Sequence, residues 1–298
     1  MSTRRRLDAE LVRRGLAPSR ERAQADIAAG RVTVGGAPAT KASRLVGPGE
    51  AVVVHGPPPR WVSRAGAKLE GAVERFELGP LLEGARVLDC GASTGGFTDC
   101  ALQHGAREVV AVDVGHNQLH ERLRRDPRVR NVERTNLRTL DPAVIGEPVD
   151  VVVGDLSFIS LRMVLEPVFA VARPGAPFAL LVKPQFEAGR AEVARGRGIV
   201  TDPVVWRRVL GEVCAALDER GATIMGAMVS PLTGSDGNVE FVVVGRAPGS
   251  ADPLSGRGPL RGEDLDLVLD AVVAEAAPAE VPPAGVPPAR GDRPGAGA

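Results

Sequence analysis

Leu88-Asp89-Cys90-Gly91-Ala92-Ser93-Thr94-Gly95-Gly96-Phe97-Thr98 reads as the end of a buried strand, a glycine-rich turn and the first residues of a helix. Glycines in such a turn let backbone amides come close to a ligand that a side chain would hold off. The spacing is G-x-x-x-G-G and not the G-x-G-x-x-G of dinucleotide sites. A second carboxylate, Asp113, ends the next apolar run, Val109-Val110-Ala111-Val112. There it can accept hydrogen bonds from the ribose hydroxyls of an adenosine. Asp89 and Asp113 at two successive strand ends suggest an adenosyl ligand without a pyrophosphate; for the glycines alone, an ordinary tight strand-to-helix turn stays open.

Outward from the turn, apolar runs alternate with longer helical stretches. Residues 86–89, 109–113, 149–153 and 178–182 are strand candidates, and 223–229 and 239–244 can complete a sheet. Strands alternating with helices are the mark of an α/β fold, a Rossmann-like parallel-type sheet with helices on both faces. Ahead of it lies a smaller α+β unit. Residues 7–16 predict one helix, a second ends at Gly30, and 31–34 and 50–54 predict strands. The prolines after His55-Gly56 make a stiff linker. The expected organisation is 1–55, a linker at 56–62, a main domain at 63–247, and a tail at 248–298 with one weak helix and disorder from residue 277. Leu265, Val268, Leu269 and Val272 mark that helix.

Formal net charge over the 298 residues is zero, but residues 1–70 carry 13 Lys+Arg against 6 Asp+Glu. Arg4, Arg5, Arg6, Arg13, Arg14, Arg20, Arg22 and Arg31 gather on the two short helices and their flanks. Such a cluster suits a surface that tracks phosphates, while a solvated basic face is the plain alternative. Cys90, Cys100 and Cys214 are odd in number and lack metal-ligand spacing, so no metal and no disulfide framework is expected. A reducing, cytoplasmic setting fits. No apolar run reaches the length of a membrane span.

Two further strand ends carry polar groups where ligands of open α/β sheets bind, Gly154-Asp155-Leu156-Ser157-Phe158 and Val182-Lys183-Pro184-Gln185-Phe186-Glu187. A lysine directly after an apolar strand sits partly desolvated, which disfavours its ammonium and makes Lys183 a candidate base. Lysines also end strands for structural reasons, and the residues alone leave both roles open.

With those stretches in view, the sequence resembles the TlyA family, in which an S-four-like RNA-binding domain precedes an FtsJ-like methyltransferase domain of the class I, Rossmann-like fold. The matching words are residues 7–16, 61–69, 89–97, 155–160, 183–187 and 237–240. The resemblance covers roughly residues 6–247. It implies a tetrad of Lys68, Asp155, Lys183 and Glu240, with Lys183 taking or steering the proton of a ribose 2′-hydroxyl and the other three holding it in line. Lys68 and Glu240 come from the resemblance alone. It further implies S-adenosyl-L-methionine as cofactor. Gly91, Ser93, Thr94, Gly95 and Gly96 would surround its amino-acid part, with Phe97 in the same word, Asp113 would take the ribose, and Asn136 would lie near the adenine. His116-Asn117 departs from the family pattern, which has an aromatic followed by a small residue there.

The implied substrate is a cytidine ribose in ribosomal RNA, in one or both ribosomal subunits, with the N-terminal arginines as RNA contacts and Arg60-Trp61-Val62 coupling that docking to the main domain. No membrane partner is implied. A pore-forming haemolysin, a name attached to the family, finds no span, barrel alternation or lysine-rich amphipathic helix here. A noncatalytic ribosome-assembly factor that keeps the fold and binds RNA is the other alternative, and intact candidates at all four tetrad positions argue against it.

Overall fold

The computed structural model describes residues 4–17, 20–57, 59–250 and 252–277; of the tail expected at 248–298, residues 278–298, where disorder was expected, lie outside them. Helices Leu7–Arg13 and Arg20–Ala28 share a core with a three-stranded antiparallel sheet, in which Val32–Val34 lies between Ala37–Pro38 and Val52–Val54. Period-two alternation buries Val32 and Val34 beside Leu7, Leu11 and Ile27. The added pairing of Arg5–Arg6 with Leu45–Val46 was not expected, since two residues leave no periodic signal.

The main sheet has seven strands: β1 Arg86–Cys90, β2 Glu108–Val112, β3 Val129–Val132, β4 Val151–Gly154, β5 Pro177–Val182, β6 Thr223–Val229 and β7 Phe241–Arg246. Their order is β6-β7-β5-β4-β1-β2-β3. Neighbours from β5 to β3 are parallel, and β7 runs antiparallel to both β5 and β6. Successive side chains go to opposite faces: Val87 and Val109 join one core, Leu88 and Val110 the other. Both faces are covered, which is why these strands read as near-continuous apolar runs. Helices α1 Ala65–Phe76 and α2 Gly96–Gln103 cover the first face; α3 Pro203–Asp218 and α4 Gly262–Ala276 cover the second. Helix α4 buries Leu269, Val272 and Val273. Strand β3 is an edge strand whose middle residues, Arg130 and Asn131, are exposed, so no apolar run announced it.

Two features of this topology place the site. The chain leaves β1 toward β2 on one side and later builds β4 on the other, which opens a crevice beyond their carboxyl ends. The reversal of β7 then brings its first residues to that same edge, because Phe241 pairs with Val182 at the end of β5. Glu240, just before β7, and Lys183, just after β5, therefore meet the crevice at the same edge of the sheet.

Gly226 lies where the β6–β7 register slips, and a β-carbon there would stand 2.4 Å from Phe76 Cε1 on α1. Gly226→Ala is expected to lower stability by about 1–3 kcal/mol through overpacking. A lower urea midpoint at constant slope is the result to look for, and an unmoved midpoint would mean the ring yields freely.

Candidate active site

Two adjoining cavities, of about 1120 and about 490 Å³, occupy the crevice and share Gly91, Ser93, Asp155, Phe158 and Phe186. The larger runs past Asp113 and Asn136; the smaller is lined by Lys68, Thr94, Phe97, Lys183 and Glu240.

All four tetrad positions converge. Asp155 follows β4, Lys183 follows β5, Glu240 precedes β7, and Lys68 comes from the first turn of α1. Lys68 Nζ lies 2.5 Å from Glu240 Oε2 and 3.6 Å from Asp155 Oδ2. Lys183 Nζ lies 2.5 Å from Asp155 Oδ1 and donates to Ser157 Oγ at 2.8 Å. Both lysines and Glu240 are buried. Two cations against two anions leave the cluster formally neutral, a requirement for charges so withdrawn from water.

The turn after β1 shows a division of labour that its sequence does not. Gly91, at φ 81°, lines both cavities, and a β-carbon there would meet Asp155 O at 3.0 Å. At Gly95 and Gly96 the missing side chains make room for protein: β-carbons would lie 2.2 Å from Leu123 Cδ1 and 2.4 Å from Ser63 Oγ. Asp89 is fully buried and lines neither cavity. Its Oδ2 accepts from Thr98 Oγ1 at 2.6 Å, bracing the turn against α2, while its buried Oδ1 has no hydrogen-bond partner among the described residues. Burial pushes its carboxyl up to about 7; the Thr98 hydrogen bond opposes this, and the charges of Asp155 and Asp113 reinforce it.

These residues fit S-adenosylmethionine. Asp113 lines the larger cavity, which continues along Gly91 and Ser93 to the smaller one, and a carboxylate there suits the diol of an adenosine. Asp113 accepts from Ser93 N at 2.8 Å and Gly115 N at 2.6 Å, with lone pairs to spare for a diol. Asn136 accepts from Arg138 N at 3.0 Å on the wall of the larger cavity. The His116-Asn117 departure is absorbed by Glu133, which meets His116 Nδ1 at 2.6 Å and accepts from Asn117 N at 2.9 Å.

Other wall residues had no assigned role in the sequence reading. Phe158 is 92% exposed at φ 64°, with its ring 5.2 Å from that of Phe186. Val193 and Gly198 close both cavities from a polar stretch without periodicity. Ahead of α1, Arg60 pairs with Glu70 at 2.6 Å, Val62 N donates to Asp99 at 2.8 Å, and Trp61 rests on Gly66.

On the N-terminal module three buried carboxylates organise the arginines. Asp8 holds Arg6 and Arg20, Glu10 holds Arg13 and Arg14, and Asp26 holds Arg22 and Arg31, all within 2.5–3.0 Å. Arg13, and then Arg14, keep Glu10 down to about 2 against the effect of burial. Arg4 stands 4.0 Å from Glu50. Arg14 differs from the rest: its remaining donors go to the carbonyls of Gly47, Pro48 and Glu50.

The three cysteines are buried, and burial raises their thiols, that of Cys214 to about 12. Among the described residues, Glu70, Cys100 and His104 are close enough to hold a metal ion. Their contacts are already made: His104 Nε2 lies 2.7 Å from Glu70 Oε2, and the Arg60 guanidinium fills the other oxygen. No helix among the described residues is long and apolar enough to cross a membrane.

Residues 61–247 match the family model for FtsJ-like methyltransferases, and residues 5–52 match the S4 domain. The chain is 49% identical over 242 residues to the Mycobacterium tuberculosis protein named 16S/23S rRNA (cytidine-2′-O)-methyltransferase TlyA, covering 81% of this chain and 89% of that one. It is 38% identical to Hemolysin A of Brachyspira hyodysenteriae, covering 80% of this chain and 98% of the other. A solved structure of a Streptococcus thermophilus protein described as a hemolysin superposes with a TM-score of 0.71 at 36% identity, over 93% of this chain and 96% of that one.

A raised carboxyl binds its proton more tightly in the folded chain than in the unfolded one, where it titrates near 4. Through Asp89, stability should therefore fall as pH rises from about 4 to about 7. Asp89→Asn is expected to remove that component, seen as a flatter dependence of the urea midpoint on pH above about 5. The same slope in both proteins would refute the assignment.

Proposed function

The chain belongs to the FtsJ-like methyltransferases of the TlyA type, and on that premise we propose that it transfers a methyl group from S-adenosyl-L-methionine to the 2′-hydroxyl of a cytidine in ribosomal RNA, within one or both ribosomal subunits. The observation that carries the reading is the neutral, buried Lys68–Glu240 and Asp155–Lys183 cluster at the edge of a cavity that continues to Asp113.

When bound, the cofactor supplies a methyl group on a sulfonium, already a good leaving group, so the work left to the chain is alignment and proton handling. Gly91, Ser93 and Thr94 would hold its amino-acid end, Asp113 its ribose and Asn136 its base. Lys183 takes or steers the hydroxyl proton. Asp155 holds Lys183 from one oxygen and faces Lys68 from the other. Glu240 fixes Lys68, so that neither cation is left unpaired as the proton moves.

A ribose hydroxyl reaches such a recess when its nucleotide leaves the stack, and an exposed ring at the mouth suits an unpaired base. Phe158 offers that ring. On the N-terminal module Arg4, Arg6, Arg13, Arg20, Arg22 and Arg31 present guanidinium groups anchored from beneath, and these would meet phosphates. Arg14 would serve the module's own fold.

Transfer of a labelled methyl group to purified ribosomal subunits tests the reading, with 2′-O-methylation mapped on the product. Lys183→Ala should lower the rate by about 10²–10⁴-fold. Absence of transfer by the parent chain, with cofactor still bound, would favour an assembly factor. Removal of residues 1–59 should abolish methylation of rRNA while leaving a folded main domain; undiminished transfer would refute the assigned role of the module.

A further inference from the structure

As an ammonium, Lys183 has three N–H bonds to place. Asp155 is one partner, but its carboxylate also faces Lys68, so it does not by itself settle the direction of the Lys183 head group. The second partner is Ser157 Oγ, at 2.8 Å. Ser157 stands two residues beyond Asp155 on the loop leaving β4 and lines both cavities. The next residue, Phe158, holds a left-handed φ of 64° that side chains rarely adopt, so the loop makes a defined turn directly after the serine.

We propose that Ser157 is a positioning residue for Lys183. With Asp155 and Ser157 taking two N–H directions, the third tetrahedral position is left for the cavity, where the ribose hydroxyl must arrive: a lone pair there takes its proton if the amine is neutral, and an N–H there steers it if the group is an ammonium. This rests on the methyl-transfer reading above. The serine is exposed toward the cavities, so alanine there removes the contact without opening a core.

The test is steady-state transfer by the full-length protein to purified ribosomal subunits, with S-adenosylmethionine varied up to saturation. Ser157→Ala is expected to lower kcat by about 10–100-fold, as misplacement of a reacting group does, with KM for the cofactor little changed. Ser157→Thr keeps the hydroxyl and should restore the rate. An alanine variant with the parent's kcat overturns the inference, as does a loss that threonine fails to rescue. A parent chain that transfers nothing defeats the underlying reading, and this inference with it; a parent that transfers beside an unaffected Ser157→Ala defeats this inference alone.

Discussion

Charges withdrawn from water must be matched, and the centre of this molecule is arranged around that requirement. Lys68, Asp155, Lys183 and Glu240 come from a helix and three strand ends, and each carries a charge that the others balance. Removing one partner of a buried pair commonly costs about 3–5 kcal/mol, because the survivor is left uncompensated. The cluster therefore binds α1, β4, β5 and β7 together while it holds the chemistry. It also makes sense of the one reversed strand, since a β7 parallel to its neighbours would begin at the opposite edge and carry Glu240 away from Lys68.

The N-terminal module follows the same rule on a smaller scale. Its apolar core is a handful of residues around Leu7, Leu11 and Ile27, and Asp8, Glu10 and Asp26 are buried beside it. Each carboxylate gathers two guanidinium groups from above. What reads in sequence as a basic patch is thus largely a set of arginines paired with buried carboxylates. Part of the positive surplus is spent inside the module, and Arg14 shows how completely a single residue can be spent.

Strand ends were the most legible part of the site. Asp89, Asp113, Asp155 and Lys183 each follow an apolar run, and a carboxyl-edge position in an open sheet carries a physical expectation by itself. Lys68 and Glu240 have no such signal: one sits within a helix and the other ahead of a strand whose direction no local pattern reveals. Only family resemblance singled them out. The turn after β1 was legible as a turn, but not the fact that Gly95 and Gly96 serve contacts with Leu123 and Ser63, since those partners are distant in sequence. Strand β3 and the wall around Val193 and Gly198 escaped notice because tertiary neighbours, and not periodicity, hold them in place.

The place of β7 in the chain has a consequence for biosynthesis. Lys68, Asp155 and Lys183 leave the ribosome well before Glu240, which arrives only after β6 has been made. Until then the assembling centre holds two cations against one anion, and a surplus charge of that kind resists enclosure. The strand that neutralises it is also the last of the sheet to be synthesised. A chain ended before β7 would lack the carboxylate that balances Lys68, so the last strand of the sheet completes both the fold and the charge balance of its centre.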